Sequence, residues 1–287
     1  MTPLSDLPAV EHCADGVYRC ELESVTHAIK IALRRYTGHV QRNRFEADEI
    51  ITRNSGSRVA DGRTVQDMQD ATVRCPERFI RAIEEAKQAI EENLPTPTRK
   101  RRKRKYNQED GEELCPQAWL ERKTDGWTVM QRTKRLKNVV TIAVNCSVLV
   151  MREPEDLLWR GAMAAALADA LTDRGHSVEI IAFACSDRTA ASGKPSHAIH
   201  RLPIKLSSQP MDIGAVAVAL CDIAFYRLIM LPVRARTLPY RIDGGFGRTT
   251  SLPARERDEF DIVIDSDVLN LEQATTKVEE YTTNEDE

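Results

Sequence analysis

Residues 139–149 read VVTIAVNCSVL. The run opens with β-branched and apolar residues and contains no turn former, which reads as a strand buried on both faces. It then rises to the polar Asn145-Cys146-Ser147 and returns to apolar Val148 and Leu149. In open α/β sheets, ligands sit beyond the carboxyl ends of the strands, so this strand end is the first place to look for a site.

Working outward toward the C-terminus, Glu153-Pro154-Glu155-Asp156 opens a helix, with proline and acidic residues in the first turn. Leu157, Gly161, Ala164, Ala165, Ala168 and Leu171 form a stripe of mostly small side chains, suited to close approach to a sheet, and Gly175 ends the helix. Residues 178–183 read as the next strand and 198–206 as a third. Asp212 caps a further helix through Leu220, which can continue to Leu231. A last strand, 260–264, ends in Asp265-Ser266-Asp267. Strand, helix and strand with short connections make a βαβ unit, so the expected class is α/β with a mainly parallel sheet flanked by helices.

Working outward toward the N-terminus, residues 95–137 form a charged linker. It begins PTPT, continues as RKRRKRK over 99–105, and then becomes acidic. Such charge blocks are solvated as a rule, whereas Trp119 and Trp127 should fold back onto a domain. Residues 1–94 read as an α-rich region, with helices at 23–36 and 76–93 and a Ser/Gly/Asn-rich loop at 54–62. Three zones result: 1–94, 95–137 and 138–287. The formal charge of −3 hides a net +7 over residues 99–137 and a net −9 in the acidic tail, 255–287.

The seven cysteines contain no CxxC pair, and Cys146, Cys185 and Cys221 lie in apolar stretches. This pattern fits buried reduced thiols in a cytoplasmic protein. The first residues lack a basic and apolar leader pattern, and no run of about 18 apolar residues occurs, so no membrane partner is expected.

Asn145, Ser147 and Asp265, with Ser207, Ser208 and Asp212 after the third strand, supply the hard oxygen ligands that Mg²⁺ prefers. With VVTIAVNCSVL, WRGAMAAALADALTDRGHSVEIIAF and EFDIVIDSD in place, the chain resembles a von Willebrand factor A (vWA)-like, or more broadly Rossmann-like, domain. That resemblance implies a metal site built from Asp-x-Ser-x-Ser, a Thr from a later loop and a late Asp. Here Asn145 stands for the first Asp, Ser147 matches the first Ser, Leu149 replaces the second, and Asp265 is the late Asp; Ser207 or Ser208 would stand for the Thr. The motif is degenerate, so Mg²⁺ is at most a weak cofactor. Residues 100–183 also resemble an uncharacterised family found largely in phages, which implies the cytoplasm of an infected host.

The basic run Arg99, Lys100, Arg101, Arg102, Lys103, Arg104 and Lys105 suits phosphate-backbone binding, with a solvated linker as the plain alternative. His197 and His200 fall on opposite faces of a strand and make a poor ligand pair. Residues 244–248, GGFGR, read as a turn. The leading expectation is a non-catalytic protein-interaction protein with an unknown protein partner. Nucleic-acid association through residues 99–105 is the alternative. An enzyme, which would need Asp265 and Asp267 to hold Mg²⁺ against a phosphate, ranks last, and no catalytic residue is assigned.

Overall fold

The computed structural model describes residues 7–13, 17–33, 62–93, 104–108, 113–114, 127–130, 139–148, 154–189, 195–237, 250–273 and 275–276. In chain order its strands are β1 (Val10–His12), β2 (Val17–Glu21), β3 (Arg104–Gln108), β4 (Glu113–Leu114), β5 (Trp127–Met130), β6 (Val139–Asn145), β7 (Ser177–Thr189), β8 (Pro195–Lys205) and β9 (Ile262–Ile264). Its helices are α1 (Val25–Leu33), α2 (Val65–Val73), α3 (Glu77–Asn93), α4 (Pro154–Asp173), α5 (Ile213–Cys221), α6 (Ile223–Thr237) and the short α7 (Ala254–Arg257). Two compact units form: Met1–Leu94 together with Val139–Glu287, and Pro95–Asn138.

The larger unit is α/β, with a six-stranded sheet in the order β1-β2-β8-β7-β6-β9. Strand β6 runs parallel to β7 and β9, and β2 runs parallel to β8. Strands β1 and β2 are antiparallel, as are β7 and β8. The sheet is therefore mixed: three of its five strand pairs are parallel, and the antiparallel pairing of β7 with β8 is what the expectation of a mainly parallel sheet missed. The physical reason lies between Thr189 and Pro195. Five residues can close a hairpin, whereas a parallel crossover needs a dozen or more.

Alternation along the strands builds two cores. Val140, Ile142 and Val144 of β6 and Val178, Ile180 and Ala182 of β7 join the large core that also takes in α1 to α6. Ala143, Phe183, Cys185 and Ile199, on the other face, meet Val17 and Leu252 in a smaller core. Over that second face, Glu256 of α7 is buried and accepts hydrogen bonds from Arg19 Nε (3.1 Å) and Arg201 Nη2 (2.6 Å). These bonds fix the segment that leads into β9.

Helix α4 is buried from Arg160 through Ala168. A Cβ added at Gly161 would stand 2.5 Å from the Leu220 carbonyl carbon and 2.6 Å from Cys221 Sγ. At Gly161, the small-residue stripe thus serves close approach to helix α5 rather than to the sheet. The helix ends at Gly175, φ +89°, where His176 N donates to Leu171 O (3.0 Å) and Gly175 N to Thr172 O (2.8 Å). Helix α5 begins as expected, with Ala215 N donating to Asp212 Oδ1 at 3.0 Å. Helix α6 turns away from it by 71° and contains a π-helical stretch, Tyr226–Met230. At the bend the buried Asp222 accepts from Ala224 N (2.9 Å) and from Arg63 Nη1 and Nη2 (2.5 and 2.9 Å).

The N-terminal region is α-helical as expected, but it also donates β1 and β2 to the sheet. Its helix α3 buries Phe79, Ala82, Ala86 and Ile90 in the large core, and Lys87 Nζ reaches Asp169 Oδ2 at 2.6 Å. In the smaller unit, β3, β5 and β4 form an antiparallel sheet in that order. Part of the charged segment is therefore ordered strand. Among the described residues no single helix is long and apolar enough to cross a membrane.

Candidate functional site

The carboxyl end of β6 and the end of β9 lie side by side, and this brings Asn145, Ser147 and Asp265 together. Asn145 Nδ2 donates to Asp265 Oδ1 at 2.7 Å and to Thr250 O at 3.3 Å. Its Oδ1 accepts from Ser147 N at 2.9 Å and from Ser147 Oγ at 2.5 Å. Two acceptors on one side and two donors on the other fix which way the amide faces.

Asp265 is enclosed. Its Oδ1 also accepts from Ser266 N (2.7 Å), and its Oδ2 accepts from Leu252 N (3.2 Å) and Arg257 Nη2 (2.6 Å). Four bonds use the carboxylate's four lone-pair positions. Arg257 is held in turn by Nε donating to Leu252 O at 3.0 Å. From the helix face, Arg160 Nη1 donates to both Asn145 O and Ser147 O at 3.0 Å, and Arg160 Nε to Val268 O at 2.9 Å. One buried guanidinium thereby ties the two strand ends together by their backbones.

This arrangement does not fit a divalent cation. Asn145 turns an N–H rather than an oxygen toward the carboxylate, and a positive group already stands 2.6 Å from it. Hard cations need oxygen lone pairs, and here those of Asp265 are spoken for. Among the described residues no group of three or more His, Cys, Asp or Glu is placed to hold a metal ion. Leu149 lies outside the described residues.

Ser207 and Ser208 are removed from the site by the direction of β8. Lys205, at its end, pairs with Ile180 near the start of β7, whereas Asn145 pairs with Phe183. Ser207 Oγ donates instead to Glu179 Oε1 at 2.8 Å, toward the amino ends of β6 and β7. His197 and His200 both lie on β8, three residues apart and so on opposite faces. His200 is buried, its Nε2 is 2.7 Å from Thr237 Oγ1, and burial together with Arg234 holds its imidazole well below the ordinary range. Burial likewise pushes the thiols of Cys146 and Cys20 up to about 12, so neither is a thiolate at neutral pH.

Of the basic run, Arg104 and Lys105 lie in β3, in register with Met130 and Val129 of β5. Arg99, Lys100, Arg101, Arg102 and Lys103 lie outside the described residues, as do residues 244–248. Sequence reasoning missed Arg160 and Arg257. Arg257 sits among charged neighbours in ARERDE and reads as solvated. Arg160 did leave a signal, as the one charge in the apolar stretch of α4 between Asp156 and Asp169, flanked by Trp159 and Gly161.

Residues 10–286 match the family described as Domain of unknown function (DUF7192), and the chain belongs to that family. Comparisons with curated proteins and with solved structures give no match.

Proposed function

We propose that the protein is a non-catalytic interaction scaffold of vWA-like design, encoded by a phage and acting in the host cytoplasm, with a protein as its partner. Strand β6, helix α4, strand β7 and the late β9, followed by Asp265, keep the vWA-like sequence of elements and support that reading. The observation that carries the non-catalytic part is the enclosure of Asp265 by Asn145, Ser266, Leu252 and Arg257. A general acid, a nucleophile or a metal ligand needs an unspent lone pair or proton at the reacting centre, and this carboxylate keeps none in reserve.

The test is recovery of the partner from host cells making the tagged protein. Asp267, exposed on the same edge, is reversed in Asp267→Arg, and a second variant changes Lys100, Arg101, Arg102 and Lys103 to serine. The expected result is a protein partner lost by Asp267→Arg and retained by the serine variant. The opposite pattern, nucleic acid released by salt and lost in the serine variant, would establish the alternative reading through residues 99–105. Mg²⁺-dependent phosphoester turnover abolished by Asp265→Asn would overturn the non-catalytic assignment.

A further inference from the structure

We infer that Arg257 is a built-in cation: its guanidinium fills the place of a divalent ion at the Asn145–Ser147–Asp265 end of the sheet, closing that edge to metal in the native chain and opening it when Arg257 is cut back. The vWA-like reading says only where a metal would be sought; the rest comes from the site itself. A carboxylate that is 3% exposed needs a compensating positive charge, and among the described residues the ion pair of Asp265 is with Arg257 at 2.6 Å. The guanidinium is mounted rather than draped, because Nε is anchored on Leu252 O while Nη2 meets the carboxylate. Its side chain is 44% exposed and enters from solvent, so it fills the route an ion would take to Asp265.

The amide of Asn145 agrees with this assignment. Beside a metal it would present Oδ1, the hard ligand. Here Oδ1 faces Ser147 N and Oγ, and the N–H faces Asp265. The whole cluster is wired for a cation that donates hydrogen bonds, which a guanidinium does and a metal ion does not.

Mn²⁺ serves as the probe, with free ion followed by electron paramagnetic resonance and unfolding by circular dichroism. The wild type is expected to bind no Mn²⁺ at millimolar concentration and to melt identically with Mn²⁺ or a chelator. Arg257→Gln keeps part of the aliphatic stem, cuts the side chain back and loses the charge. It should melt lower and regain stability with Mn²⁺, and adding Asn145→Asp should tighten Mn²⁺ binding by about tenfold or more, since a carboxylate replaces an amide. Asp265→Asn in the Arg257→Gln background should remove the response, whereas Arg257→Lys, still a cation, should stay blind to Mn²⁺. If Arg257→Gln lacks a native spectrum without metal, recovery of that spectrum in Mn²⁺ counts as the expected result. Wild-type Mn²⁺ uptake that Asp265→Asn abolishes would overturn the inference. So would Mn²⁺ blindness in both Arg257→Gln and the double variant. No partner enters these assays, so their outcome is independent of the interaction reading.

Discussion

His200 stands on β8 beneath the end of α6, with Cys20 beside it on β2, Thr237 on one ring nitrogen and Arg234 nearby. Its other nitrogen, Nδ1, has no hydrogen-bond partner among the described residues. Burial first, and then the neighbouring Arg234 charge, disfavour the imidazolium and keep the ring neutral. The consequence for stability has a definite sign. A free imidazole takes up its proton below about pH 6.5. The native ring does not until far lower pH, so over that interval the unfolded chain binds a proton that the folded chain refuses. Stability is therefore full above about pH 6.5 and falls as pH drops below it, by up to about 1.4 kcal/mol per pH unit from this group. His200→Gln keeps a polar group within reach of Thr237 Oγ1 and removes the titration. Urea unfolding between pH 7 and pH 5 should show the wild type losing stability relative to the variant across that window. A constant difference between the two would show that His200 titrates normally in the fold.

At the scale of elements, close packing between α4 and α5 gives the sharpest prediction. Gly161 faces the carbonyl carbon and oxygen of Leu220 and the Cys221 sulfur, and the two Leu220 atoms are backbone and cannot rotate away. Gly161→Ala should therefore cost about 1–3 kcal/mol through overpacking, despite alanine's higher helix propensity. Chemical denaturation would check this, and a stabilised variant would mean that the helices stand further apart. Local signals such as the first-turn Pro154, Gly175 and the Asp212 cap were readable in the sequence because each acts within one turn of its helix. The direction of β8 was not. Reading β7 as ending at Phe183 and β8 as starting at Ala198 left fourteen residues, enough for a crossover; the strands actually extend to Thr189 and from Pro195. The extra residues, ACSDRT and PSH, lack the apolar alternation by which a strand is recognised. The strand end told the same story in miniature. Asn145, Ser147 and Asp265 were legible as neighbours through the vWA-like resemblance, whereas strand polarity alone also offered Ser207 and Ser208; the arginines that complete the cluster were not legible, because a charged residue in sequence does not announce what it will be buried against.

Over the whole molecule, the larger unit is assembled from two stretches separated by residues 95–138. Strands β1 and β2 were hard to foresee because VEH and VYRCE are short and carry charges. Yet β2 covers the edge of β8 over five register pairs, and α3 covers α4 with Phe79, Ala86 and Ile90. Arg63 compensates the buried Asp222 in the bend between α5 and α6, and Arg236 Nη1 caps Ala32 O of α1 at 2.6 Å. The N-terminal stretch therefore supplies apolar cover, a sheet neighbour and a counter-charge to the part that holds the candidate site. Without it, β8 would expose an unpaired edge and α4 an apolar flank, both of which favour aggregation over folding. Residues 139–287 made alone should lack a cooperative melt and a native near-ultraviolet spectrum, and co-production with residues 1–94 should restore both. In the same experiment, a chain in which residues 95–138 are replaced by a Gly/Ser linker of equal length should keep its cooperative transition, because the named core residues of the larger unit all lie outside that stretch. A cooperative, native-like 139–287 fragment would show instead that the N-terminal stretch is an addition to a fold already complete, and would move the search for its role from stability to binding.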